Sequence, residues 1–68
     1  MSFTKSEIEV MSAMIDEGAD FGSVANATGK TLRQVKGVVN SLIKKGVVDS
    51  DGLTEFGKQT LKEIGSQT

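Results

Sequence analysis

Several residue types are missing from this chain, and each absence removes a class of chemistry. There is no cysteine and no histidine among the 68 residues. Disulfides, thiolate nucleophiles, Cys/His metal sites and imidazole catalysis are therefore excluded together. Tyrosine and tryptophan are also absent, and phenylalanine occurs three times. That leaves no nucleophile convincingly paired with a base, and no aromatic residue placed to stack on an RNA base. No enzyme is expected, and no cofactor or metal. No run approaches the roughly 18 apolar residues of a membrane-spanning helix. The N-terminus lacks a basic region followed by an apolar run, so no signal peptide is expected. A soluble, cytoplasmic protein follows as the expectation. The Asn26-Ala27-Thr28 sequon would then carry no glycan, because glycosylation needs a secretory route.

What is present is a globular composition, 37% hydrophobic and 25% charged. The length leaves room for one domain, 1–68, with a thin core and no separate catalytic or cofactor unit. Opening on Met1, the chain reads as a whole small protein. Without staples, it must rely on strong local signals. The formal net charge is −1. Taken alone, that value argues against a nucleic-acid partner.

The local signals are dense. Thr4-Lys5-Ser6-Glu7 has the form of a capping box, with Phe3 and Ile8 at the two positions of a hydrophobic staple. Ile8, Val10, Met11, Met14 and Ile15 recur at helical spacing, and Gly18 marks an end, predicting a helix over about 5 to 17. Asp20 can cap a short second helix whose buried face is Phe21, Val24, Ala25 and Ala27. Thr28-Gly29 ends it. Thr31-Leu32-Arg33-Gln34 offers a second capping box. Val35, Val38, Val39, Leu42 and Ile43 follow at three-and-four spacing, and Lys44-Lys45-Gly46 is a favourable end. This third helix is expected over about 31 to 45. Val47-Val48, the turn residues Asp49-Ser50-Asp51-Gly52, and Leu53 predict a very small hairpin. Thr54 then caps a last helix, about 54 to 64, with Phe56, Leu61 and Ile64 as its apolar side. Gly65-Ser66-Gln67-Thr68 is expected to fray.

Residues 21 to 39 carry the functional signal. Two helices crossing steeply through a tight turn need a small residue at the crossing, which Ala25 supplies. They need a residue tolerant of positive φ four positions later, which is Gly29. They need aliphatic anchors on the second helix, which are Val35 and Val38. This spacing resembles the DNA-binding helix-turn-helix family, here over about 20 to 45. Downstream, Lys44-Lys45-Gly46-Val47-Val48 and Leu53-Thr54-Glu55-Phe56-Gly57 look like the end of a winged-helix domain of the MarR type. In that pattern a lysine-rich helix end leads through a strand, a wing turn and a second strand to an "LT-x-x-G" helix start. The resemblance runs from about Thr4 to Ile64. It implies a mainly α, small winged helix-turn-helix domain: a three-helix core, a minimal β-hairpin wing over about 47 to 53, and a C-terminal helix. It also implies a transcription regulator whose third helix enters the major groove of double-stranded DNA. Two features depart from the pattern. The wing is short and carries Asp49 and Asp51 without Arg or Lys, so phosphate would repel it. The terminal helices through which MarR-type proteins dimerise have no counterpart, so a monomer or weak homodimer is expected.

The distribution of charge restores the nucleic-acid reading. Residues 1 to 22 set Lys5 against Glu7, Glu9, Asp16, Glu17 and Asp20, a balance of −4. Residues 23 to 46 hold Lys30, Arg33, Lys36, Lys44 and Lys45 with no acid, a balance of +5. Residues 47 to 68 set Lys58 and Lys62 against Asp49, Asp51, Glu55 and Glu63, a balance of −2. On the third helix, Arg33, Gly37, Asn40 and Lys44 lie opposite the apolar stripe, with Gln34, Lys36 and Ser41 beside them. Arg can read guanine, and Asn or Gln adenine, by bidentate hydrogen bonds. Gly37 costs about 1 kcal/mol in a helix interior relative to Ala, and a bare backbone permits close approach. Lys30 in the turn can touch phosphate. Thr31 is foremost a cap, and can also present N–H groups to a phosphate. Leu32 is exposed if Val35 is buried, and suits a thymine methyl, a protein partner or the edge of the core. The DNA-binding candidates are therefore Lys30, Thr31, Arg33, Gln34, Lys36, Gly37, Asn40 and Lys44. With some four phosphate contacts, the expected log–log salt slope is about −3 to −4.

Other signals fail on spacing. Thr28-Gly29-Lys30-Thr31 resembles the end of a phosphate-binding P-loop, but the position five before Gly29 is Val24, not glycine. Asp49, Asp51 and Gly52 lack the remaining ligands and closing Glu of a calcium loop. Asp16, Glu17 and Asp20 read as a solvated helix end. Met11 and Met14 are at core spacing. The alternative to DNA is a winged-helix module that binds a protein, such as a component of the transcription machinery; the acidic wing and acidic first helix favour it.

Overall fold

A computed structural model describes residues 2 to 65. It has four helices and one two-stranded antiparallel hairpin: α1 (Lys5–Glu17), α2 (Phe21–Thr28), α3 (Leu32–Lys44), β1 (Val48–Asp49), β2 (Gly52–Leu53) and α4 (Glu55–Gly65). The order is the one the sequence predicts, and the bounds of α1 to α3 agree to within a residue. The expected fraying at Ser66, Gln67 and Thr68 lies outside the described residues, while Gly65 closes α4.

Local chemistry explains the helix starts. Thr4 and Glu7 form a complete capping box: the Glu7 N–H donates to Thr4 Oγ1 at 3.1 Å, and the Thr4 N–H donates to Glu7 Oε1 at 2.8 Å. Thr31 and Gln34 form the same box on α3, at 3.1 and 2.9 Å. Asp20 caps α2 by accepting from the Ser23 N–H at 3.2 Å. That bond, and a second from the Ser23 hydroxyl, hold the Asp20 carboxyl below the usual carboxylate range. At the far end of α2, Gly29 is left-handed with φ +72°, and the Lys30 N–H returns to the Ala25 carbonyl at 3.1 Å. This glycine ends one helix and aims the chain into the next.

The core is a single cluster: Val10, Met11 and Met14 of α1, Val24 and Ala25 of α2, Val35, Val39 and Leu42 of α3, and Val47 and Val48. Phe3, Phe21, Val38, Leu53 and Leu61 pack around it, partly buried. Leu42 is fully buried, so Leu42→Ala would remove about 3 kcal/mol of stability. The sequence pattern overstates this core in four places. Ile15 is 63% exposed, Ile43 47% and Phe56 50%, and Ala27 is also exposed. Ile15 follows Met14, Ile43 follows Leu42, and Phe56 precedes Gly57, each neighbour being buried. One residue along a helix is about 100° of rotation, so a pair such as Val10 and Met11 that straddles the middle of the buried stripe is buried together, whereas Ile15, Ile43 and Phe56 fall past its edge. Ala27 sits on the outer side of a two-turn helix, two residues past Ala25, and is turned away from the core for the same reason.

The hairpin pairs Val48 with Leu53 and Asp49 with Gly52. Asp49 Oδ1 accepts from the Asp51 N–H at 2.9 Å and tightens the turn. The start of α4 is bound to this hairpin. Thr54 Oγ1 accepts from the Gly57 N–H at 3.0 Å, capping the helix, and its hydroxyl donates to the Gly46 carbonyl at 2.9 Å. Gly57 is buried with its Cα against the Val47 carbonyl, so that a Cβ would overlap that oxygen and its carbon. The Leu-Thr-x-x-Gly spacing thus has a physical content here: one hydroxyl ties two elements together, and a bare Cα lets them close.

Candidate nucleic-acid interface

α3 presents three longitudinal strips. Val35, Val39 and Leu42 face the core. A shoulder of Val38, Ser41 and the following Lys45 is half-buried. The crest is exposed and holds Arg33, Lys36, Gly37, Asn40 and Lys44, with Leu32 and Ile43 on its far flank. Of the eight sequence candidates, the structure brings Arg33, Lys36, Gly37, Asn40 and Lys44 together on this crest. Thr31 and Gln34 are exposed at the start of α3, with their side chains engaged in the capping box. The Thr31 N–H holds Gln34 Oε1, so a bidentate contact to adenine requires that bond to open, whereas the Gln34 Nε2 amide can donate to a partner with the box intact. Lys30 is turned towards α1. Its Nζ lies 3.3 Å from Glu9 Oε1 and 3.5 Å from Ser6 Oγ.

The shoulder holds the strongest electrostatic feature. Glu7 is buried, 4% exposed, on the inner face of α1. Both its oxygens are fully used. Lys45 Nζ donates to Oε1 and Oε2 at 2.8 and 2.9 Å, the Ser41 hydroxyl donates to Oε2 at 3.0 Å, and the Thr4 N–H donates to Oε1. The Lys45 ammonium is the main reason the Glu7 carboxyl is lowered to about 2, helped by the Thr4 and Ser41 bonds and opposed by burial. Lys45 also donates to the Ser2 carbonyl at 3.2 Å and stands 4.9 Å from the centre of the Phe3 ring. Counting charges along the sequence missed this arrangement. The available signal was that Glu7 occupies a core position of α1, three and four residues before Val10 and Met11.

Of the five cations in residues 23 to 46, Lys30 and Lys45 are therefore spent inside the chain. Arg33, Lys36 and Lys44 are exposed and form no ion pair among the described residues. α3 itself contains no carboxylate. A shallow groove runs between this helix and the start of α1, lined by Thr4, Ser6, Lys30, Gln34, Gly37 and Ser41. On the other flank an apolar groove is lined by Phe21, Val39 and Ile43, with Lys36, Asn40 and Asp49 at its edge. Asp49 and Asp51 are exposed on the hairpin.

No family model, no curated protein and no solved structure matches this chain. Among the described residues, no helix is long and apolar enough to cross a membrane.

Proposed function

We propose that this chain is a small cytoplasmic DNA-binding protein of the winged helix-turn-helix type, similar to the MarR family, that acts as a transcription regulator. The observation that carries the reading is the crest of α3: three outward cations on a helix without a single carboxylate. In this reading α3 lies in the major groove. Arg33 and Asn40 meet base edges, and Lys36 and Lys44 meet phosphates. The hairpin, with Asp49 and Asp51, stays clear of the backbone. Two or three outward cations in place of some four phosphate contacts reduce the expected salt slope to about −2 to −3. Backbone NMR shifts measured on adding duplex DNA at low salt test this directly. Residues 32 to 44 are expected to move; if they do not, the reading is wrong. In a mobility shift at two salt concentrations, Arg33→Ala is expected to weaken the complex at both.

A second reading is favoured by different observations. Ile15, Ile43 and Phe56 are large apolar side chains left exposed, and the hairpin is acidic. These suit a protein-interaction module that docks on a protein of the transcription machinery. Capture of that protein by the Arg33→Glu and Lys36→Glu variants, together with loss on changing Asp51 or Phe56, would favour this reading over DNA.

A further inference from the structure

Gly37 is a glycine for which the fold has no use. Gly18, Gly29, Gly46 and Gly52 hold positive φ angles. Gly57 lies against the Val47 carbonyl. Gly22 and Gly65 are in the terminal turns of their helices. Gly37 sits in the middle of α3 with a negative φ, and a Cβ built there meets no atom within 4 Å. Glycine in such a place weakens the helix relative to alanine and gains no contact within the chain. Its surroundings supply the second observation. Arg33 is one turn before it and Asn40 one turn after, on the same exposed strip, with Lys44 beyond.

We propose that Gly37 is the point of closest approach between α3 and the base-pair edges of the major groove, so that a bare Cα sets how deep the helix can sit. This rests on the DNA reading above and deepens it. Seated at Gly37, the helix brings Arg33 and Asn40 to bases on either side. At 1.5 Å of rise per residue their separation is about 10 Å, or roughly three base steps. The site read would then pair a guanine contact at the Arg33 end with an adenine contact at the Asn40 end. A side chain at position 37 lifts both readers from the bases while leaving the longer lysines in reach of phosphate. A protein helix packing on Gly37 is the less favoured partner, since it would have to bring its own carboxylates to Arg33, Lys36 and Lys44.

The test starts from a pool of short random-sequence duplexes, enriched on the wild-type protein. Affinities of wild type, Gly37→Ala and Gly37→Leu are then measured by anisotropy for the enriched duplex and for the unselected pool. The enriched duplex is expected to bind Gly37→Ala about threefold more weakly and Gly37→Leu more than about tenfold more weakly. The unselected pool should change less than about twofold, because that binding is electrostatic. Melting temperatures should rise, since both substitutions strengthen the helix in open space. Wild-type affinity for the enriched duplex in either variant overturns the proposal and leaves the DNA reading standing. An equal loss on both duplexes also overturns it, in favour of a backbone contact. If the wild type retains no duplex at low salt, the DNA reading itself has failed.

Discussion

Lys45, bonded to Glu7 of α1, and Gly57, packed on the Val47 carbonyl, are both consumed by the fold. On the crest of α3, Lys44 and Gly37 have no such employment. Lys44 and Lys45 are adjacent and chemically identical, yet about 100° of helical rotation separates them. One completes the bonding of a buried carboxylate, and the other is exposed on the face proposed for DNA. Gly57 and Gly37 both lie within helices, yet a Cβ would strike a carbonyl at the first and nothing at the second. Residue type therefore says little here about role. The neighbours that the fold brings to each position decide it.

The contrast can be broken at four points. Gly57→Ala should be the most damaging, at about 3 kcal/mol or more, because the obstacle is backbone and cannot swing aside. Denaturant unfolding measures this, and the outward Gly37→Ala is the matched control. Acid should come next. The Glu7 carboxyl is lowered from 4.5 to about 2 in the folded protein. Its contribution is fully present above about pH 4.5 and is lost as the pH falls through about 2. The expected loss is about 3 kcal/mol across that window. In Glu7→Gln that part of the stability–pH curve should flatten, whereas a curve as steep as the wild type would show that Glu7 is not the group responsible. Lys45→Met should cost about 2 kcal/mol, since it leaves Glu7 buried with only the Ser41 and Thr4 bonds, and Lys45 itself is partly solvated. Lys44→Met should change stability by less than about 0.5 kcal/mol. On the DNA reading it should lower the salt slope by about one. Equal stability losses for the two lysine variants would remove the contrast altogether.

Much of this architecture is legible in the sequence because it is written in short-range chemistry. Thr4 with Glu7, Asp20, Gly29, Thr31 with Gln34, and the Asp49–Gly52 turn act over two to four residues, so reading the chain locally finds them. The outward placement of Arg33, Gly37, Asn40 and Lys44 also follows, once Val35 and Leu42 are assigned to the core. What escapes is long-range. Nothing near Lys45 announces that its partner is Glu7, 38 residues away, and nothing near Lys30 announces Glu9. The half-exposure of Ile15, Ile43 and Phe56 escapes for another reason. Hydrophobicity identifies a helix face only to within a side chain's width, and an apolar residue at the edge of the buried stripe reads the same as one inside it.

The bonds of Lys45 to the Ser2 carbonyl and to Glu7 have a kinetic side. They close loops of 43 and 38 residues, while the helix caps and the hairpin turn close loops of two to five. Short loops form early at little entropic cost, and a clasp joining the first residues to the end of α3 can shut only when both helices are already in place. Interactions made after the folding barrier act on the way out rather than the way in. Cutting the clasp should therefore leave the folding rate almost unchanged and speed unfolding, making this lysine a latch on the lifetime of the native state.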